Sequence, residues 1–437
     1  MSLQTALQQT LPLTPESFDR FSNLIDPDWI TQALQATGTA SIRRRHLPAE
    51  RVVWLVIGLA LFRNEPIWHI VRQLGLSLNT ATLPSPSVSV QGRQRLGDTP
   101  LASLFQRLAR HWGATHQPVA PDGFGLRTLA VDGVVWSAPD TAENRAAFGG
   151  GRSQHGEGAW PQVRGVCLMD TESHLLLGAE FGSFASGELS YARALMAETP
   201  DHSLTIFDRA YYAAAFLLDW QQAGQQRHWL MRAKTALRYE VVHTLGEGDW
   251  WVRLPVSPQA RQSRPDLPSH WEARLIECRR GGEVRRYLTS LADAQRYRAD
   301  LLADHYRQRW EIELGYREIK QGLLTGETTL RSKLPTLVRQ EIWGLLIAYN
   351  LLREEMRQMA QALEVPPQRV SFQWAALAIV GLLRHCPLET PGTLPKRLAL
   401  LREQARLYLL PPRRKRSYPR QLKPRAAKYP TKKCQSA

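Results

Sequence analysis

The chain has 437 residues, 43% hydrophobic and 22% charged, enough for two or three domains and a large core. A formal charge of +16 with a pI near 10.0 points to a polyanionic partner, nucleic acid first and an anionic membrane surface second. No apolar run approaches the ~20 residues a membrane span needs, the amino terminus shows no export signal, and the four cysteines form no C-x-x-C pair, which argues against structural zinc or a disulfide framework and fits a reducing cytoplasm.

Residues 1–122 read as helical and as a first domain. Thr14-Pro15-Glu16 is an N-cap with proline at the first helical position, and Pro48 opens another helix after the basic cluster Arg43-Arg44-Arg45. The apolar run from Val52 to Phe62, interrupted only by Gly58, suits a buried helix. Helices near 65–74 and 88–96 can form a helix-turn-helix pair with Gln91, Arg93 and Arg95 facing DNA, or belong to a plain bundle with solvated arginines.

From Gly125 the pattern turns to short β-like runs. LRTLAVDGVVWSA is apolar on both sides of Asp132 and predicts a central buried strand, although VDG can also make a turn. QVRGVCLMD and LLLGAEFG predict two more strands, a helix follows near 187–198, and SLTIFDRAYY predicts a strand ending at Asp208, which can also cap the next helix. HWLMRAK is expected to close the sheet of this first core segment, 123–234.

Residues 235–287 are rich in tryptophan and arginine and broken by prolines, and predict a β-rich insertion with a hairpin at Gly281-Gly282. Interleaved aromatics and arginines, Trp250 and Trp251 among them, can stack on unpaired bases or simply cover a small sheet. A second core segment, 288–390, contains the helix DHYRQRWEIELGYREIK at 304–320, a basic loop with Arg331 and Lys333, the apolar helix QEIWGLLIAYNLLREEM and a helix at 368–385. The last segment, 391–437, is a helix and a tail whose stretch from Pro411 has ten Lys and Arg and no acid, a composition expected to be disordered and to bind phosphates without sequence preference.

On a wheel of about 100° per residue, Tyr306, Arg309, Glu313, Arg317 and Lys320 fall within roughly 80° of one another. Glu313 borders the apolar stripe of Leu301, Ile312, Ile319 and Leu323, whereas Glu311 and Glu318 fall on the far side and read as exposed ion-pair residues. An acid at the edge of a core, flanked by cations, is a candidate metal ligand beside phosphate-binding groups. With Asp132 and Asp208 it makes three carboxylates that can converge on a pair of Mg²⁺ ions, which clamp the oxygens of an in-line phosphoryl transfer. No phosphate loop, nucleophile elbow or H-E-x-x-H pair competes with this set.

These residues resemble the insertion-sequence-four family of bacterial DDE transposases. Tyr306, two residues, Arg309, three residues, Glu313, six residues, Lys320 matches the family's helix signature in full, Asp132-Gly133 matches its first strand acid, and Asp208-Arg209-Ala210-Tyr211 matches the second more loosely. The resemblance covers about residues 15–385, the QGRQRLG stretch included. It implies an α/β, RNase H-like core, a mixed five-stranded sheet with helices, carrying a helical N-terminal domain and the β-rich insertion. It further implies cut-and-paste transposition with Asp132, Asp208 and Glu313 as ligands of two Mg²⁺ ions that Mn²⁺ can replace, with Tyr306, Arg309 and Lys320 on terminal phosphates and one tryptophan on a flipped base. A homodimer bridging two terminal inverted repeats, a DNA hairpin intermediate and target DNA as second substrate belong to the same expectation. Two other readings stay open at this point: an RNase H-like nuclease without strand transfer, and a domesticated DNA-binding protein.

Overall fold

The computed structural model describes residues 25–40, 47–74, 76, 85–115, 124–153, 156–280, 282–326, 329–385 and 394–411. The caps at Thr14–Glu16, the cluster at Arg43–Arg45, Gly281 and the basic tail from residue 412 lie outside them.

Among the described residues five helices come first: α1 (Pro27–Ala36), α2 (Ala49–Leu61), α3 (Ile67–Gln73), α4 (Pro86–Leu96) and α5 (Thr99–Thr115). Helix α2 is apolar on every side and is buried along nearly its whole length, as its uninterrupted run predicts. What buries it is the long helix α12 (Pro335–Ala362), which contacts both α2 and α5. A Cβ at Gly344 would meet the Val56 carbonyl oxygen at 2.7 Å, so only glycine lets the two helix backbones approach this closely. The buried ion pair of Arg63 with Glu341, 2.9 Å, pins the same junction.

The chain then builds one mixed sheet of nine strands. Its first part comprises β1 (Arg127–Ser137), β2 (Gln162–Asp170), β3 (Leu176–Ser183), β4 (Ser203–Phe207) and β5 (Arg227–Arg232), in the order β3-β2-β1-β4-β5. Strand β2 is antiparallel to β1 and β3, while β1, β4 and β5 run parallel, which is the arrangement of an RNase H-like core. Helix α6 (Ala142–Phe148) follows β1, α7 (Glu188–Ala194) follows β3, and α8 (Ala214–Gln222) crosses between β4 and β5.

Strand β5 does not close the sheet. The insertion supplies β6 (Glu240–Gly246), β7 (Asp249–Pro255), the short α9 (Pro258–Ser263), β8 (His270–Arg280) and β9 (Glu283–Thr289), and β9 pairs with β5 through Tyr287 opposite Arg232. The sheet therefore continues as β5-β9-β8-β7-β6, because an exposed parallel edge at β5 would leave a row of unpaired backbone groups. The connection back passes through α10 (Ala299–His305) and α11 (Trp310–Arg317) on one face of the sheet, and the chain ends in α12, α13 (Phe372–His385) and α14 (Leu394–Gln404). Among the described residues no helix is long and apolar enough to cross a membrane.

Candidate active site

Strands β1 and β4 are in parallel register from Arg127 opposite Ser203 to Val131 opposite Phe207. The next residue on each strand is Asp132 and Asp208, so the two acids follow directly on the last register pair of neighbouring strands. Beyond that point β1 runs on against β2 while β4 has ended, opening a crevice at the carboxyl end of the strand, the place where α/β sheets present ligands. Asp132 lies within the strand and not in a turn, its Oδ1 accepting from the Gly133 N–H at 2.8 Å. Asp208 also caps, accepting from the Ala210 N–H at 3.0 Å at the start of a 3₁₀ turn, so both expectations for it hold.

The third acid arrives on the segment 299–323, which is helical throughout but not uniformly wound. Helix α10 tightens into a 3₁₀ turn at Tyr306–Arg309, α11 is regular, and Glu318–Leu323 loosens into a π turn. Three contacts dock it. His305 Nε2 lies 2.7 Å from Thr128 Oγ1, the Tyr316 hydroxyl donates to the Asp132 carbonyl oxygen at 2.6 Å, and Gly315 presses so closely on β2 that a Cβ there would meet Met169 Cε at 2.3 Å.

Glu313 is thereby brought to Asp132 through Arg309. The guanidinium stands 2.6 Å from Glu313 Oε1 and 3.6 Å from Asp132 Oδ2, in a site where Arg309 itself is 9% exposed. Burial pushes the Asp132 carboxyl up to about 6 from its ordinary 3.8, against the Gly133 N–H and Arg309 and with the help of the Glu313 and Glu188 charges. Among the described residues no three His, Cys, Asp or Glu side chains stand close enough to cage a cation as they are. Arg309 occupies the position of positive charge between two of the acids, and hard oxygen donors around a charge of that sign fit a divalent cation.

Tyr306 lies under the end of β4, its hydroxyl donating weakly to the Phe207 carbonyl oxygen at 3.4 Å, and its ring packs on Tyr287. Arg317 and Lys333 are exposed, Lys320 half-buried. Several candidates are placed differently from the expectation. Arg93 is 3% exposed and donates to Gln340 Oε1, Ser332 Oγ and the Leu337 carbonyl, so it holds α4 to α12 and does not face outward, whereas Gln91 and Arg95 do. Arg331 donates to the carbonyls of Glu65 and Phe62, where the chain leaves α2. Leu301 is exposed and not part of the apolar stripe.

Glu311 and Glu318 are not solvent residues either. Glu311 Oε2 accepts from His174 Nε2 at 2.9 Å, and Glu318 pairs with Arg353 and accepts from the Tyr349 hydroxyl at 2.9 Å. Burial raises the Glu318 carboxyl, but Arg353 and His174 overcome it and hold it down at about 2. Nothing local in the sequence marks His174 or Arg353 as partners. Glu188, at the start of α7, is a further acid by the site that sequence reasoning passed over, and the hydroxyl of Tyr211 is buried there with no hydrogen-bond partner among the described residues.

Two family descriptions match the chain: the N-terminal part of the insertion element 4 transposases over residues 15–106, and the transposase DDE domain over residues 123–351. A transposase of insertion sequence element IS4 from Escherichia coli K12, InsG, is 42% identical over 417 residues, covering 94% of this chain and 94% of that one. The putative transposase InsZ of the same organism is 34% identical over 234 residues, 53% of this chain and 76% of that one. Among solved structures, a piggyBac transposase synaptic complex with hairpin DNA covers 92% of this chain and 87% of that chain at 10% identity and a TM-score of 0.44, a likeness too slight to carry weight. With strand acids, signature helix and both matched regions in one order, the chain belongs to the insertion element 4 family of DDE transposases, metal-dependent enzymes that cut DNA and join the cut ends elsewhere.

Proposed function

We propose that Asp132, Asp208 and Glu313 are the metal ligands of this transposase, that the metal is Mg²⁺ as two ions with Mn²⁺ able to substitute, and that the substrates are the element's terminal inverted repeats and target DNA. The observation that carries this reading is the placement of Asp132 and Asp208 immediately past the Val131–Phe207 register pair, with Arg309 joining Asp132 to Glu313. Two bound ions would activate water or a 3′-hydroxyl and offset charge on the leaving oxygen of an in-line displacement. The protein's part is to hold the strand. Arg309, relieved of its carboxylates, turns its guanidinium to a phosphate, where its paired N–H groups match two oxygens. Tyr306, Lys320 and Arg317 follow the same helix toward the backbone on either side of the cut, and Lys333 extends that positive edge.

Outside the core segments 123–234 and 288–390, we assign DNA recognition to residues 1–122, through Gln91 and Arg95 on α4, and the DNA ends to the insertion at 235–287. The tail within 391–437 adds phosphate contacts without sequence preference. Arg93 and Arg331 serve the helix junction in this scheme. Cleavage proceeds through a hairpin at the element end, in a homodimer that bridges two ends in the bacterial cytoplasm.

The test is Glu313→Ala with terminal-repeat DNA. End cleavage and strand joining are expected to vanish in Mg²⁺ and in Mn²⁺ while DNA binding stays. Retained Mg²⁺-dependent cleavage by that variant would remove Glu313 from the ligand set, and cleavage by the unaltered protein that never joins a 3′ end to target would favour a nuclease.

A further inference from the structure

On the side of β1 opposite the helix α11, the crevice past the last β1–β4 register pair has a second lining. Successive strand residues point to opposite faces, so Gly133 faces away from Asp132. A Cβ built on Gly133 would fall 2.4 Å from Glu188 Cδ and 2.5 Å from its Oε1. The Glu188 carboxylate therefore rests over the Gly133 α-carbon, in a space that only a residue without a side chain leaves open. The Glu188 charge reaches Asp132 and the Tyr211 hydroxyl alike. Tyr211 is 2% exposed, held by Phe207 and Phe216, and among the described residues its hydroxyl oxygen meets no hydrogen-bond partner although the charges of Glu188, Asp132 and Asp208 all act on it.

A buried hydroxyl without a partner costs roughly 1–3 kcal/mol, and the half-buried Glu188 carboxylate stands beside it. Helix-start acids are common, and Glu188 favours the first turn of α7 on that ground alone. That role asks nothing of Gly133 and gives Tyr211 no partner. Both oddities end if a cation with its water shell enters the crevice, since the carboxylate then meets positive charge and the hydroxyl can bond to a coordinated oxygen.

We propose that Glu188 supplies a fourth carboxylate to the divalent-cation site, from the face of the sheet opposite Glu313, with Tyr211 donating its hydroxyl to an oxygen bound there. The proposal rests on the assignment of Asp132 and Asp208 as ligands. Glu313 and Glu188 then approach the strand acids from opposite sides, which leaves one ion held mainly by Asp132, Asp208 and Glu313 and the other by Asp132 and Glu188. Glu188 also explains why the residue after Asp132 is glycine.

The experiment is Mn²⁺ binding to the full chain without DNA, followed by electron paramagnetic resonance, for the unaltered protein, Glu188→Gln, Tyr211→Phe, Gly133→Ala and Asp132→Asn. Thermal melts accompany each titration, and only variants that melt cooperatively are compared. Glu188→Gln is expected to weaken binding about tenfold, and Tyr211→Phe by a smaller factor. Gly133→Ala should displace the Glu188 carboxylate and weaken binding by a similar factor, with little further loss when combined with Glu188→Gln. Unchanged Mn²⁺ affinity in Glu188→Gln, with binding lost in Asp132→Asn, overturns the proposal and leaves the three-acid site standing. Unchanged affinity in Asp132→Asn overturns that three-acid reading itself. Equal, additive losses from Gly133→Ala and Glu188→Gln also count against the proposal, because they would mean separate effects.

Discussion

His174 Nε2 stands 2.9 Å from Glu311 Oε2, and this buried contact ties the helix that carries Glu313 to the turn between β2 and β3. The opposite ring nitrogen, Nδ1, lies 2.6 Å from Arg353 Nη2, so the ring is fixed from both sides. His174 is held at φ +63°, in the left-handed region, by the turn that follows Asp170. A residue kept there despite the cost, bonded at both nitrogens, positions α11 from behind. His174→Ala strands Glu311 in the interior and should lower stability by about 3 kcal/mol in chemical denaturation. Glu311→Gln keeps an acceptor for the Nε2 proton and should cost about 1 kcal/mol, with cleavage retained once the protein is folded. A His174→Ala variant within about 0.5 kcal/mol of the parent would show that α11 is held by its apolar contacts alone.

The pH dependence of the metal-free protein follows from Asp132. Its carboxyl titrates near 6 in the fold, because burial disfavours its charge, and near 3.8 when unfolded. Between these values the folded state binds the extra proton, so stability falls as pH rises through this window and the full cost is present at pH 7. Asp132→Asn removes that cost. It should raise the melting temperature at pH 7 without added metal and leave it nearly unchanged at pH 3.5. Cation binding needs the ionised form, so Mn²⁺ affinity of the parent should climb from pH 4.5 to about 6.5 and then level off. A melting temperature for Asp132→Asn below the parent at pH 7 would contradict the sign of this coupling.

How much of this was legible in the chain depends on the reach of each signal. The strand acids stood out because Asp132 and Asp208 interrupt or end apolar runs, and both are where those runs place them. Glu313 is marked by its spacing from Tyr306, Arg309 and Lys320, a local relation that does not depend on the winding. The wheel put Ile312, Ile319 and Leu323 in the core, where they are, but misplaced Leu301, Glu311 and Glu318, for two reasons. The 3₁₀ turn at Tyr306–Arg309 and the π turn at Glu318–Leu323 depart from the assumed 100° per residue. Glu311 and Glu318 also have their partners on other elements, His174 and Arg353, and a buried ion pair cannot be told from a solvated one by the sequence of a single helix. Arg93 points inward where an outward face was expected, and Arg331 meets backbone carbonyls, since a basic residue near a DNA-binding segment looks alike whether it meets phosphate or a helix carbonyl.

Arg93 and Arg95 therefore separate folding from recognition on one helix. Arg93 donates three hydrogen bonds to Gln340, Ser332 and Leu337, and its removal takes a buried donor from the Gln340 amide oxygen and leaves a void between the two helices. Arg93→Ala should destabilise by about 2–4 kcal/mol with a drop in melting temperature. Arg95 is exposed, and Arg95→Ala should keep the melting temperature while weakening terminal-repeat binding and reducing its salt dependence. If Arg93→Ala melted like the parent but lost DNA binding, α4 would have to present its other side to DNA.

Trp250 and Trp251 point to opposite faces of the sheet, and the register decides which one faces the site. Trp251 pairs with Arg274, Arg274 with Thr289, Thr289 with Leu230, Leu230 with Ile206, and Ile206 with Ala130. Directly paired residues share a face, and Ala130 shares one with Asp132 two positions on. Trp251 therefore stands on the Asp132 face, half-buried, stacked with His243 and donating to Glu272 Oε2 at 2.8 Å. Trp250, on the other face, packs against the main core. A base drawn out of the duplex at the active face can stack on Trp251 and not on Trp250. Trp251→Ala should leave the melting temperature near the parent's and slow the step that extrudes a base, seen as reduced fluorescence gain from 2-aminopurine placed at the element terminus. Trp250→Ala should do the reverse, lowering the melting temperature through lost core contact while the folded fraction gives the parent's 2-aminopurine signal. An unchanged signal in Trp251→Ala, with the gain lost in Trp250→Ala at full folding, would require DNA to approach the insertion from the face opposite Asp132.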